Sequence, residues 1–252
     1  MPSSKPIRVG QAKFPAICAP LVARTREAIL EEAKVVGHKR PDILEWRVDF
    51  FEDIGDARAV VEVAAAIREA APGIALLLTR RSAREGGQTI GITEEQVIDM
   101  YRTACASGHI DLVDYEMSNG AEQVAQVRAF SKANGVQLVL SFHDFARTPD
   151  AQELAMHFVM AERLGADVAK VAVMPRDMDD VIVLLKATLD ASRGLEIPVV
   201  SMAMGSHGAV SRICGFTFGS AMTFAVGQSS SAPGQMPIED VQAGIEMLQR
   251  AL

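Results

Sequence analysis

Short apolar runs, many of them β-branched, alternate along this chain with longer segments whose apolar residues recur at helical spacing. The short runs predict strands near 14–20, 42–49, 73–79, 111–116, 136–142, 167–173, 197–203 and 216–225. The longer segments predict helices near 23–37, 56–71, 93–107, 121–134, 150–164, 177–192, 207–213 and 238–251. Thr93 precedes Glu94-Glu95-Gln96 and reads as a capped start. Asp150 opens a segment with Leu154, Phe158 and Ala161 on one face. Gly108, Gly135, Gly165 and Gly194 fall just after helices, where a left-handed residue is wanted. Residues 1–12 read as a short N-terminal arm or hairpin closing one end of whatever the strands build.

Eight strand–helix pairs in 252 residues predict an α/β fold, a (β/α)8 TIM barrel forming one domain over residues 1–252. A doubly wound sheet is the competitor, and it usually places a Gly-rich phosphate turn after the first strand. Here that turn would fall at Ala19-Pro20-Leu21-Val22, which has no glycine. The net charge of −7 argues against a general nucleic-acid binder. No apolar run approaches the roughly 18 residues of a membrane-spanning helix, and Met-Pro-Ser-Ser-Lys-Pro-Ile-Arg has no apolar signal core. Cys18, Cys105 and Cys214 are odd in number and in no metal-ligand pattern, so they read as reduced thiols of a cytoplasmic protein without a metal.

In a barrel, chemistry gathers at the C-terminal ends of the strands, and ionisable residues recur there. Glu45, Arg47 and Asp49 alternate in the second strand and so share a face. The third ends Thr79-Arg80-Arg81-Ser82 with Glu85 soon after, the fourth holds Asp114 and Glu116, and the fifth ends Ser141-Phe142-His143-Asp144. Lys170 sits mid-run in Asp167-Val168-Ala169-Lys170-Val171-Ala172-Val173. Burying an unpaired ammonium is costly, so such a lysine either finds a carboxylate or a solvated face, or becomes a nucleophilic amine able to form a Schiff base. His143 titrates near neutrality when unperturbed and lies one strand away, about 4.8 Å across a sheet. Gly205-Ser206-His207-Gly208 opens a helix that can hold an anion, and Arg212 can grip a carboxylate or stand as a plain surface arginine. Met202 and Met204 read as packing, and Gln228–Gln235 as a lid or a flexible connection.

Taken together, these pieces resemble a type I 3-dehydroquinate dehydratase, the Schiff-base class. They are Glu-Trp-Arg-Val-Asp at 45–49, Thr-Arg-Arg-Ser at 79–82 with Glu85-Gly86-Gly87, Ser-Phe-His-Asp at 141–144, the Lys170 strand, Met-Ala-Met-Gly-Ser-His-Gly-Ala-Val-Ser-Arg at 202–212 and Ser-Ala-Pro-Gly-Gln at 231–235. The resemblance runs from about residue 42 to the end and is loose over the first 40 residues. It implies a (β/α)8 homodimer with no metal or organic cofactor, acting on 3-dehydroquinate. It implies Lys170 as the imine-forming amine, His143 as acid and base, and Glu85 as the carboxylate holding His143. It further implies Arg212 on the substrate carboxylate, and Glu45, Arg47, Arg81, Ser231 and Gln235 around the hydroxyls and lid. Met202, Met204 and Phe224 would form an apolar wall, with Asp49, Asp114 and Glu116 as a supporting charge network. The family often has an aromatic residue where this chain has Arg80, so the resemblance leaves open whether Arg80 or Arg81 faces inward; the Arg-Ser register favours Arg81. The rivals are a class I aldolase acting on a sugar phosphate, with the 205–212 loop as phosphate grip, and a catalytically silent binding barrel.

Overall fold

The computed structural model describes residues 8–12 and 14–252. Its strands are β1 (Ala16–Leu21), β2 (Ile43–Arg47), β3 (Ala75–Thr79), β4 (Leu112–Glu116), β5 (Gln137–Asp144), β6 (Val168–Val173), β7 (Val199–Ala203) and β8 (Met222–Phe224). They alternate with α1 (Arg26–His38), α2 (Ala57–Ala70), α3 (Glu94–Ala106), α4 (Ala121–Ala133), α5 (Ala151–Arg163), α6 (Met178–Gly194), α7 (Gly205–Cys214) and α8 (Ile238–Gln249). The strands form one parallel sheet in the order β7-β6-β5-β4-β3-β2-β1-β8. The bridge between Val199 and Ser220 brings its two edges together into a barrel. At that seam Ala221 N donates to Val199 O (2.8 Å), and Ser201 N donates to the Ser220 hydroxyl (3.1 Å), so a side chain stands in for part of the ladder.

Strand alternation sorts the apolar residues into two cores. Outward residues such as Trp46, Leu78, Val113, Leu140 and Val171 pack under the helices. Inward residues such as Ile43, Ala75, Leu112, Val139, Val168 and Val200 fill the barrel. The helices start where side chains can cap them: Thr25, Asp56, Thr93, Asp150 and Asp177 each accept from a first-turn N–H. Each such cap stabilises by about 1 kcal/mol. No helix among the described residues is long and apolar enough to cross a membrane.

Several boundaries differ from those the sequence predicts. The second strand stops at Arg47, because Val48–Phe50 turn into a 3-10 helix, so Asp49 is not a strand residue. The eighth shrinks from 216–225 to Met222–Phe224, since Gly215–Phe218 form a 3-10 turn that Gly219 ends at φ 93°. Gly108, Gly135 and Gly165 do take positive φ, whereas Gly194 remains the last helical residue of α6. α7 starts at Gly205 rather than 207, and Gly208 lets it press onto the end of β7: a Cβ there would lie 2.1 Å from Ala203 O. The predicted N-terminal arm falls partly on residues 1–7, outside the described residues. Residues 8–12 form a turn, and Val9 enters the inner core, its N–H donating to Gln137 Oε1 (3.3 Å).

Candidate active site

The C-terminal ends of the strands surround a cleft with about 440 Å³ of empty space, open to solvent at its mouth. Lys170 lies at its base, buried, with Nζ 2.9 Å from Asp114 Oδ2 and 4.5 Å from the centroid of the Phe224 ring. Of the escapes open to a buried lysine, the structure shows the carboxylate partner, and the same Nζ faces the cleft. Asp114 is the hub of a polar cluster. Its other oxygen accepts from Arg81 NH2 (2.7 Å) and from the Ser141 hydroxyl (2.6 Å), and Arg81 NH1 reaches Ser141 Oγ (2.9 Å) and Glu116 Oε1 (3.1 Å). Burial pushes the Asp114 carboxyl up, but the Arg81 and Lys170 cations outweigh it and hold it well below the usual range. Conversely, burial disfavours the Arg81 cation while Asp114, Glu116 and Glu85 more than restore it.

His143 belongs to the same chamber. Glu85 Oε2 accepts from His143 N (3.0 Å) and lies 2.9 Å from Nδ1, while the Ser118 hydroxyl donates to Glu85 Oε1 (2.6 Å). With Nδ1 turned to the carboxylate, Nε2 is left for a ligand. Burial, Arg81 and Lys170 push the His143 pKa well below its ordinary value, so the ring is a neutral base near pH 7. Glu85 moves the other way, up to about 7, through burial and the nearby Glu116, with Arg81 opposing.

Arg212, from α7, completes the floor. It is 2% exposed; NH1 donates to Phe224 O (3.3 Å), NH2 donates to Pro233 O (3.2 Å), and Nε has no partner. Burial lowers its pKa to about 10. Among the described residues no carboxylate pairs with it, so its charge has no paired counter-charge in the cleft. Its bond to Pro233 also ties down the 228–235 loop, in which Ser231 N donates to Gln235 Oε1 (2.9 Å).

The cleft brings together Glu45, Arg47, Arg81, Glu85, His143 and Lys170 with Met202, Met204, Arg212, Phe224, Ser231 and Gln235. Asp49, Asp114 and Glu116 stand behind this lining. Asp49 takes a bidentate contact from Arg47 (2.8 Å each) and accepts from Arg81 N and Gln88 N, so the 3-10 turn, not a strand, aims it. Arg81 faces in, whereas Arg80 points outward and pairs with Glu94. Gly86, Ala172 and Ala232, which the sequence motifs contain without a site role, also line the cleft, as does Phe145, and Ser118 stands behind Glu85. Phe145 was within reach of the sequence motifs, since it follows His143 by two. A Cβ on Gly86, which has φ 84°, would lie 2.4 Å from the Phe145 ring. His207 is exposed on α7, outside this lining. Among the described residues, no group of three or more His, Cys, Asp or Glu is arranged to hold a metal.

The sequence model of the type I 3-dehydroquinase family matches residues 17–251. The chain belongs to that family. The match begins well before residue 42, so the kinship reaches into β1 and α1, where the motifs are silent. A 3-dehydroquinate dehydratase of Albidiferax ferrireducens is 53% identical over all of this chain and 97% of its own length. One from Aromatoleum aromaticum is 50% identical, covering 97% of this chain and 94% of the relative. Among solved structures, the 3-dehydroquinate dehydratase of Geobacillus kaustophilus superposes with a TM-score of 0.94 at 48% identity, covering 98% of both chains. The type I enzyme of Clostridium difficile, holding covalently modified comenic acid, superposes at 0.93 with 36% identity, covering 98% and 96%.

Proposed function

We propose that the cleft dehydrates 3-dehydroquinate through a Schiff base on Lys170. The protein is a hydro-lyase of the type I 3-dehydroquinase family, turning 3-dehydroquinate into 3-dehydroshikimate in the shikimate pathway. The observation that carries the mechanism is a buried amine, a neutral imidazole and an unneutralised guanidinium converging on one cleft. Nζ attacks the ketone carbon, and loss of water from the resulting carbinolamine gives the imine. His143 takes the proton from the adjacent carbon, and the electron pair moves into the imine to give an enamine. The enamine expels the neighbouring hydroxyl, which leaves as water with the proton that His143 returns. Hydrolysis of the imine releases product and restores the amine. Arg212 pairs with the substrate carboxylate through its open Nε edge, and Asp114 keeps Nζ aimed. Glu85 holds the His143 tautomer, and Glu45, Arg47, Arg81, Ser231 and Gln235 surround the hydroxyls. Met202, Met204 and Phe224 supply the apolar wall. The covalent ligand in the Clostridium difficile relative supports covalent chemistry in this barrel. The working unit in this reading is a homodimer, as the family resemblance implies, with one catalytic domain per chain and, from its unpaired thiols, a place in the cytoplasm.

The test is mass spectrometry after incubation with 3-dehydroquinate and borohydride. A stable adduct mapped to Lys170, absent in Lys170→Ala together with nearly all turnover, is expected. Turnover that survives in Lys170→Ala would sink the mechanism.

A further inference from the structure

We propose that Tyr101, on the outside of the barrel, is a positioning residue for the Lys170 site: its phenol clips the ends of β3 and β4 together and so sets Asp114 and Arg81 against Nζ. The proposal rests on the Schiff-base reading of Lys170. Regular pairing of β3 with β4 ends at Thr79 and Asp114. There the Arg80 N–H donates to the Tyr101 hydroxyl (2.7 Å), and that hydroxyl donates to Asp114 O (2.8 Å). One hydroxyl therefore joins the two backbones, accepting from one and donating to the other, as only a group with both capacities can.

The two backbone sites it holds carry the charge cluster inside. Asp114 is itself the partner of Lys170, and Arg81 directly follows Arg80. Their side chains meet at 2.7 Å, with Lys170 Nζ 2.9 Å from the other Asp114 oxygen. A shift of either strand end would open one of these contacts. Tyr101 is itself well anchored. It is fully buried, and its ring meets Tyr115 edge to face at 5.9 Å and 89°. The Tyr115 hydroxyl donates to Glu94 Oε1 (2.7 Å), and Glu94 pairs with Arg80, tying the start of α3 to the end of β3. Burial raises the Tyr101 pKa, so the phenol stays protonated and keeps its donor role.

A double-mutant cycle tests this, with kcat, KM and the single-turnover rate of the borohydride-trapped Lys170 adduct as readouts. Tyr101→Phe removes both hydrogen bonds of the phenol and is expected to lower kcat and the trapping rate about tenfold, with KM little changed. In an Asp114→Asn background the same substitution should have little further effect, because its route to the amine is already cut. Tyr115→Phe removes a hydroxyl from the same cluster without touching either backbone group and should keep its turnover. Wild-type rates in Tyr101→Phe, or an equal fold loss in both backgrounds, would overturn the proposal. Should Tyr101→Phe fail to fold, a second measurement decides. The chain has two tyrosines, so 3-fluorotyrosine in Tyr115→Phe labels position 101 alone. Its fluorine resonance should move when the Lys170 adduct is trapped, and an unmoved signal overturns the clip. A wild-type protein that gives no Lys170 adduct overturns the Schiff-base reading and the clip together, whereas a normal adduct with an indifferent Tyr101 overturns the clip alone.

Discussion

The lower and upper halves of the barrel interior are built on the same strands and the same faces, yet they are different materials. Below, Ile43, Leu112, Val139 and Val168 fill the space with hydrocarbon. Two residues further along each strand stand Glu45, Asp114, Ser141 and Lys170. Strand alternation makes both sets point inward, so sequence position alone decides which layer a residue joins. The lower layer stabilises by burial, at roughly 25 cal/mol per Å² of apolar surface. The upper layer does not follow that rule. Buried ion pairs such as Arg81 with Asp114 are costly to desolvate and often add little net stability. Their consequence is instead chemical: in this half Asp114 is held down, His143 down and Glu85 up. The lower half and the helix layer keep the barrel shut, while the contacts of the upper half hold Lys170 against Asp114 and shift an imidazole and two carboxyls.

Substitutions in the two halves should therefore differ in kind. His143→Ala strikes the upper half and should cost about 10²–10⁴-fold in turnover, the usual worth of a general acid–base group. The adduct on Lys170 should still form and accumulate, as intact-protein mass spectrometry would read. Normal turnover in this variant would remove His143 from the proton transfer. Leu112→Ala strikes the lower half, two residues before Asp114 on the same face. It should cost about 2–5 kcal/mol of stability by leaving a cavity, read by urea unfolding, with kcat of the folded protein nearly unchanged. If its kcat fell as far as that of His143→Ala, the two halves would not be separable.

Much of this division was legible in the sequence, because β-strand periodicity and motif chemistry are both local signals. The eight alternating pairs predicted the barrel, His143 and Arg81 stood out as polar residues at strand ends, and Lys170 as a charge in the middle of an apolar strand. What was not legible depends on how the chain bends or on contacts between distant segments. Asp49 fits an alternating strand pattern, yet it reaches Arg47 only because Val48–Phe50 coil into a 3-10 turn. The eighth strand looks long because Phe216 and Phe218 are apolar, but Gly215 and Gly219 bracket them into a turn. Ser118 and Tyr101 bear on the site through partners tens of residues or one strand away, Glu85 and the Asp114 carbonyl, and nothing in their neighbourhoods marks them.

The subtlest difference between the halves is in pH dependence, and Glu85→Gln should expose it. In the native state the Glu85 pKa is raised from 4.5 to about 7, chiefly by burial. Between those values the folded protein keeps a proton that the unfolded chain has released, so this group's contribution to stability falls as pH rises and levels off above 7. His143 acts in the opposite sense. Its native pKa lies well below 6.5, so the unfolded chain binds the extra proton, and stability rises with pH up to about that value. Across the shared part of that range the two slopes oppose each other in the wild type. Gln removes the falling slope and leaves the rising one, while its amide oxygen still accepts from the His143 backbone N–H. Relative to wild type, Glu85→Gln should therefore gain stability from pH 5 to pH 8 by on the order of 3 kcal/mol, the free-energy equivalent of that pKa shift. Urea unfolding at the two pH values measures it. Leu112→Ala, which touches no titrating group, should show the same deficit at both. A constant offset in Glu85→Gln as well would mean that Glu85 titrates as an ordinary carboxylate and that the upper half perturbs fewer of its charges than the geometry requires.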